Sequence, residues 1–217
     1  MKLNFGLFLD SSPDRWGRLL MRRREAIMAK RENRTQITLR EIDYLLGVYD
    51  QYRMGAIRFK VDRDGPFLNH NSEMATPPWA SLRELERASL ELEKDDSVDD
   101  DEYLKWINLL IAPGSSLGGA RPKASVVDNG NNLWIAKFPS ANDYKNTGAW
   151  EKVANELASE SGINITECKT ERYSGSYNTF LTKRFDRNSL GERIHFASAM
   201  TLLGYKDGTD FRDGVSY

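Results

Sequence analysis

Residues 113–138, PGSSLGGARPKASVVDNGNNLWIAKF, constrain this chain more than any other stretch. A loop rich in glycine and serine (Gly114, Ser115, Ser116, Gly118, Gly119) leads into an apolar run from Ala124 to Val127. The turn signal Asp128-Asn129-Gly130-Asn131-Asn132 follows, and a second apolar run, Leu133 to Phe138, carries one lysine, Lys137. The pattern predicts a loop, two antiparallel strands joined by a tight turn, and a cation on the second strand. Glycines let backbone N–H groups approach a polyphosphate closely, and a lysine on the neighbouring strand neutralises its charge. The competing reading is a surface loop beside a stray lysine.

The next stretch extends the pattern. Asn146 to Ser161 reads as a helix, with Trp150, Val153, Ala154, Leu157 and Ala158 on one apolar face and Gly162 at its stop. Glu151 lies in the first turn. In a kinase N-lobe the phosphate loop precedes a lysine-bearing strand, and a helix glutamate holds that lysine in its phosphate-binding pose. Otherwise Glu151 is simply a first-turn acid that favours the helix dipole.

SSLGGARPKA, WIAKFPS, WEKVANELASESGI and TFLTKRFDR together resemble the HipA family, bacterial serine/threonine kinases that act as toxins in toxin–antitoxin pairs. PDRWGRLLMRRRE, YLLGVYDQYRMGAIRFK and PPWASLRELE are similar to that family's amino-terminal region, so the resemblance covers nearly all of the chain. It implies an α+β fold with a HipA-like N-terminal subdomain over 1–112. A kinase-like N-lobe, an antiparallel sheet plus one helix, is then expected over 113–217.

The resemblance also implies site residues. Ser116, Leu117, Gly118, Gly119 and Ala120 would form the ATP loop, Lys123 and Lys137 would contact phosphates, and Glu151 would pair with Lys137. Lys183 and Phe185, in Lys183-Arg184-Phe185-Asp186-Arg187, stand where the hinge offers its backbone to adenine; the plain reading of that segment is a strand end with paired surface charges. Ser116 matches the family's regulatory serine, whose phosphorylation locks the loop away from ATP. Pro122 removes one backbone donor from this loop. In the family, phosphate goes to an aminoacyl-tRNA synthetase. A helix-turn-helix antitoxin neutralises the toxin, so that DNA is met only through the antitoxin.

Composition sets bounds. With 217 residues, 40% apolar and including five Trp and nine Phe, the chain can bury a proper core. Nothing approaches a run of about 18 apolar residues and no basic-then-apolar leader opens the chain, so neither a membrane span nor a signal peptide is expected. The single cysteine, Cys168, cannot form an internal disulfide, which suits a reducing cytoplasm. His70 and His195 have no cysteine partners and support no zinc site. The net charge of −1 is unevenly spread: residues 1–60 hold 13 basic and 7 acidic groups, residues 61–112 hold 5 and 13. Two differently charged faces fit this better than one nucleic-acid footprint.

Taken in order, Ser11-Ser12-Pro13-Asp14 predicts a helix start with a hydroxyl cap and a proline in the first turn. That helix runs to about Asn33, with Trp16, Leu19, Leu20, Ile27 and Met28 as apolar positions. Its arginines, Arg15, Arg18, Arg22, Arg23 and Arg24, form either a phosphate- or partner-contacting stripe or a solvated face covering apolar surface with its stems. A short helix is expected over Thr38–Val48, a strand over Met54–Val61, a turn over Asp62–Gly65, a loop over 66–80 and a helix over Ser81–Glu93 with a Ser81/Glu84 capping box. The acidic run Lys94–Glu102 lacks the glycine and glutamate placement of an EF-hand and reads as a connector or helix start. An apolar turn, Trp106–Ile111, precedes the domain boundary near 112. After the Asn146 helix come a strand over Ile163–Thr170, a hairpin around Ser174-Gly175-Ser176 with second arm Tyr177–Thr182, and a helix over His195–Leu203.

A phosphotransferase also needs an aspartate to accept the hydroxyl proton and another to hold magnesium. Asp210-Phe211 is followed by Arg212 where glycine should stand, and no His-x-x-Asp precedes it, so no catalytic residue is assigned in this sequence. The expectation is the ATP-binding, N-terminal half of a HipA-like kinase, inactive alone, using ATP with magnesium once a C-lobe is supplied. The alternative is a non-catalytic interaction module that binds an antitoxin or a partner chain. An exposed apolar patch beside residues 180–203 would favour an incomplete domain.

Overall fold

The computed structural model describes residues 6–70, 81–94, 100–110, 120–205, 209, 212 and 214. Helix α1 is Gly6–Leu9, α2 Arg15–Arg31, α3 Glu41–Gly47, α4 Leu82–Lys94 and α5 Asp100–Leu110. Strands β1 (Lys123–Val127) and β2 (Leu133–Lys137) follow, then α6 (Thr147–Glu160), β3 (Cys168–Glu171), β4 (Thr179–Lys183) and α7 (Ala199–Leu203). The chain is α+β.

Helix α2 is capped by Asp14 rather than by a serine hydroxyl. Its Oδ1 accepts from Gly17 N at 2.9 Å, while Ser12 Oγ donates backwards to the Phe8 carbonyl at 2.8 Å. Pro13 therefore precedes the cap and stands outside the helix. Trp16, Leu20 and Ile27 turn inward, with Leu19 and Met28 packed at the margin. In α4, Leu82, Leu85, Ala88, Ser89 and Leu92 form the buried face that the helical period gives. Trp106–Leu110 is no turn but the end of α5, with Ile107 and Leu110 buried against this layer. Its apolar residues fall at helical spacing, which a short reading window misses; Ile111 lies outside the described residues.

The four strands form one antiparallel sheet in the order β1-β2-β4-β3. Strand β1 pairs with β2 from Lys123↔Lys137 to Val127↔Leu133, and Asp128 closes their turn by accepting from Gly130 N, Asn132 N and Trp134 Nε1. Period-two alternation sends Ala124, Val126, Trp134, Ala136 and Leu181 into the same core as Trp16, Leu85, Leu92 and Ile107. The core is continuous across residue 112.

Three other expectations fail for physical reasons. Residues 54–61 form no strand, keeping only an isolated bridge from Phe59 to Leu68. Gly55 sits at φ +72°, its N–H donates to Asp186 Oδ2 at 2.7 Å, and its carbonyl accepts from Arg193, so its backbone groups are committed to side chains. The strand after α6 is only Cys168–Glu171, although the hairpin beyond it is present as β3–β4. The apolar face of α6 is open: Trp150 is 62% and Leu157 58% exposed. Helix α6 instead meets the sheet through its other side. A Cβ on the buried Gly148 would come within 2.1 Å of the Asn178 carbonyl oxygen, so this glycine permits the close approach.

Candidate functional site

The last residue of β2 faces the start of α6, where Lys137 Nζ reaches Glu151 Oε2 at 2.5 Å; Glu151 lies just past the helix's first turn, which holds no acidic residue. The pairing that the resemblance implies is present. Both side chains remain partly exposed, at 29% and 27%, and the ammonium also lies 5.5 Å from the Phe180 ring centroid. The helix is fixed for this contact by Asn146, whose Oδ1 accepts from Ala149 N and Asn178 N and whose Nδ2 donates to Asn178 Oδ1. One asparagine thus caps α6 and ties it to the approach of β4.

The loop residues Ser116, Leu117, Gly118 and Gly119 lie outside the described residues. Ala120 is exposed, and Arg121 beside it grips Asp143 through both guanidinium nitrogens, at 2.9 and 2.5 Å. Burial alone would push the Asp143 carboxyl up, but Arg121 and the Ser140 N–H hold it below its ordinary value. Pro122, which gives the loop no donor, supplies an acceptor: its carbonyl takes the Phe138 N–H at 2.9 Å.

Lys123 stands elsewhere than the resemblance implies. Its ammonium is held by Asp14, and the two side chains are only 5% and 1% exposed. A buried lysine on a buried helix cap fastens β1 to α2 and has no free charge to offer a phosphate in this arrangement. Three arginines of the α2 stripe are likewise engaged in packing, while Arg15 and Arg22 are exposed. Arg18 forks onto Glu41 at 2.6 and 2.7 Å, Arg23 donates to the Leu92 carbonyl, and Arg24 donates to Asn108.

Lys183 ends β4, its N–H on the Glu167 carbonyl at 2.9 Å, and Phe185 is 42% exposed with its ring edge-on to Phe196 at 5.0 Å. Between them Arg184 is fully buried and forks onto Asp186 at 2.9 and 2.7 Å, while also donating to the Tyr52 and Arg53 carbonyls. These are not surface charges. Two further anchors had no signal that periodicity could expose. Glu86 on α4 is buried and accepts from Ser174 N, Ser174 Oγ and Thr179 Oγ1, and Glu93 accepts from Ser140 Oγ and Ala141 N. Among the described residues no cluster of three His, Cys, Asp or Glu side chains is placed to hold a metal ion.

Residues 115–217 match the family model of the HipA-like C-terminal domain. This part of the chain, a little under half of it, is HipA-like. The HipA-like domain therefore takes in the hairpin, α6, the Lys137–Glu151 pair and the Arg184–Asp186 pair, while α2, α4 and α5 lie before it. No curated protein and no solved structure matches the chain. Among the described residues no helix is long and apolar enough to cross a membrane.

Proposed function

We propose that the chain binds ATP as the N-lobe of a serine/threonine kinase toxin. The Lys137–Glu151 ion pair carries this reading. A lysine on a central strand, held by a glutamate from the helix packed on that sheet, is the device by which kinases orient the phosphates of ATP. The sheet order β1-β2-β4-β3 with α6 inserted between β2 and β3 supports it. On this reading Ser116–Ala120 cradle the phosphates, Lys137 neutralises them, and the backbone of Lys183 and Phe185 receives adenine. Lys123 joins only if its pair with Asp14 opens. Ser116 is the proposed site of regulatory phosphorylation.

Phosphoryl transfer itself requires the two aspartates that accept the hydroxyl proton and hold magnesium. No residue of this sequence is assigned to either role, so transfer to a protein, by resemblance an aminoacyl-tRNA synthetase, depends on residues supplied from elsewhere. The proposed partners are a helix-turn-helix antitoxin, with DNA met only through it, in a cytoplasmic setting. The other reading, a non-catalytic interaction module for an antitoxin or a partner chain, draws on the open face of α6, whereas exposed Leu190, Ile194, Leu202 and Leu203 fit an incomplete domain.

Titration calorimetry with ATP and magnesium separates the two. Binding that disappears in Lys137→Ala supports the nucleotide site. Absence of binding to the wild-type chain at millimolar ATP favours the interaction module.

A further inference from the structure

A second charged feature lies at the other end of the sheet from Lys137. The β1–β2 turn, the segment before β3, the segment after β4 and residues 50–58 enclose an open groove of about 820 Å³. On its inner wall three guanidinium groups meet at a single acceptor. Arg184, Arg187 and Arg193 all donate to the Arg53 carbonyl oxygen, at 3.2, 3.1 and 3.1 Å. Cations crowded this closely repel one another unless anions compensate. Burial, with Arg184 beside it, pushes the Arg187 guanidinium below its ordinary value; burial and Arg187 bring Arg193 down to about 10.

The anions already present are shared among too many cations. Asp186 is fully buried and accepts from Arg184, Arg187 and the Gly55 N–H. Asp50 accepts a fork from Arg58 and lies 3.5 Å from Arg193. Two carboxylates thus balance four guanidiniums, whose other hydrogen bonds go to uncharged backbone carbonyls from Asp50 to Gly55 and at Asp186. The half-buried Lys183, on the same groove, adds a charge with no ion-pair partner among the described residues. Glu167, the remaining carboxylate on the walls, is exposed and so weakly coupled. The groove is lined as well by Leu133 and Ile165 and by uncharged amides.

We propose that this groove binds an organic phosphate monoester, its phosphoryl oxygens on the Lys183 ammonium in the positive field of the arginine cluster and its organic part along Leu133 and Ile165. A dianion balances the excess of positive charge that the two carboxylates leave, and the ammonium supplies charge-assisted hydrogen bonds to it. The groove shares Lys183 and Phe185 with the nucleotide reading above, there through their backbone and here through the Lys183 ammonium, but it uses neither Lys137 nor Glu151.

Nuclear magnetic resonance with phenyl phosphate at constant ionic strength tests this. Saturable shifts confined to residues 127–133, 164–167 and 183–193 are expected, and Lys183→Gln weakens binding by about tenfold or more, the loss of one charge-assisted hydrogen bond. Lys137→Ala leaves phenyl phosphate affinity unchanged while abolishing ATP binding, which keeps the two sites distinguishable. A phosphoserine peptide run alongside tells whether a free metabolite or a phosphorylated protein is the better ligand. Shifts that follow ionic strength alone overturn the proposal, as does an affinity unaltered in Lys183→Gln or lost in Lys137→Ala. Should Lys183→Gln fail to fold, the shift map of the wild-type protein decides by itself.

Discussion

Lys123 and Lys137 stand directly opposite each other across β1 and β2, yet their ammonium groups are held by different carboxylates, Asp14 and Glu151. Like charges directly opposite in an antiparallel pair destabilise it unless each is compensated. One pair is buried and joins the sheet to α2. The other is partly exposed and joins the sheet to α6.

The buried pair dominates stability. Lys123→Ala leaves the Asp14 carboxylate shielded from water without its cation, and should cost about 3–5 kcal/mol in urea unfolding. Glu151→Gln, at a partly exposed pair, should cost no more than about 1 kcal/mol. A double-mutant cycle on Lys123 and Asp14 that finds no coupling would contradict this division. Asp14 also caps α2, so its own substitution carries an additional loss of about 1 kcal/mol.

Glu86 presents a different balance. It is buried without a cation among the described residues and is satisfied by two hydroxyls and one backbone N–H from the β3–β4 hairpin. Glu86→Ala strands those donors and should cost roughly 2–4 kcal/mol, with faster hydrogen exchange in the hairpin. Glu86→Gln keeps an acceptor oxygen and should fall between the two. Unchanged exchange at residues 174–182 would refute the link.

Acid should loosen the join between residues 50–58 and the end of β4. Burial would raise the Asp186 carboxyl, but Arg184, then Arg187 and the Gly55 N–H, keep it below its ordinary 3.8. Glu41 is lowered in the same sense by Arg18. The unfolded chain then binds these protons more readily than the folded one, so the stabilisation is complete above the ordinary carboxylate range. It is lost as pH falls through the folded values, and the urea midpoint should drop below about pH 4. Asp186→Asn should flatten that acid limb; an unaltered limb would show that other carboxylates govern it.

The outer face of α6 should tolerate what a core face does not. Trp150→Ala and Leu157→Ser are expected to change stability by within about 0.5 kcal/mol, because neither side chain is buried. Gly148→Ala, against the Asn178 carbonyl, should be the damaging change in this helix. Thermal melts of the three variants decide it.

The elements whose residues repeat at a regular period were legible: the hairpin, α2, α4 and α6 all follow from spacing and end signals. The Lys137–Glu151 contact was legible only through the resemblance, since nothing in the spacing says which carboxylate a strand lysine meets. Two of the misreadings share one cause. Residues 54–61 alternate like a strand, but arginines from beyond β4 take the carbonyls at its start. The stripe Trp150, Val153, Leu157 has a core pattern, but a glycine on the other side sets how the helix packs. Such choices depend on partners from 30 residues away, as for Gly148 and Asn178, to 140, as for Arg53 and Arg193, and local periodicity carries no trace of them.

The commitment of the Arg53 and Gly55 carbonyls to Arg184, Arg187 and Arg193 bears on the order in which the chain assembles. These partners are 131 to 140 residues apart in sequence. During synthesis the segment around residue 53 emerges long before its donors, and it stays unpaired until the residues after β4 arrive. Contacts of such long range are made late and slow the approach to the native state. The end of the HipA-like domain that forms last is the part that completes the earliest-made region of the chain.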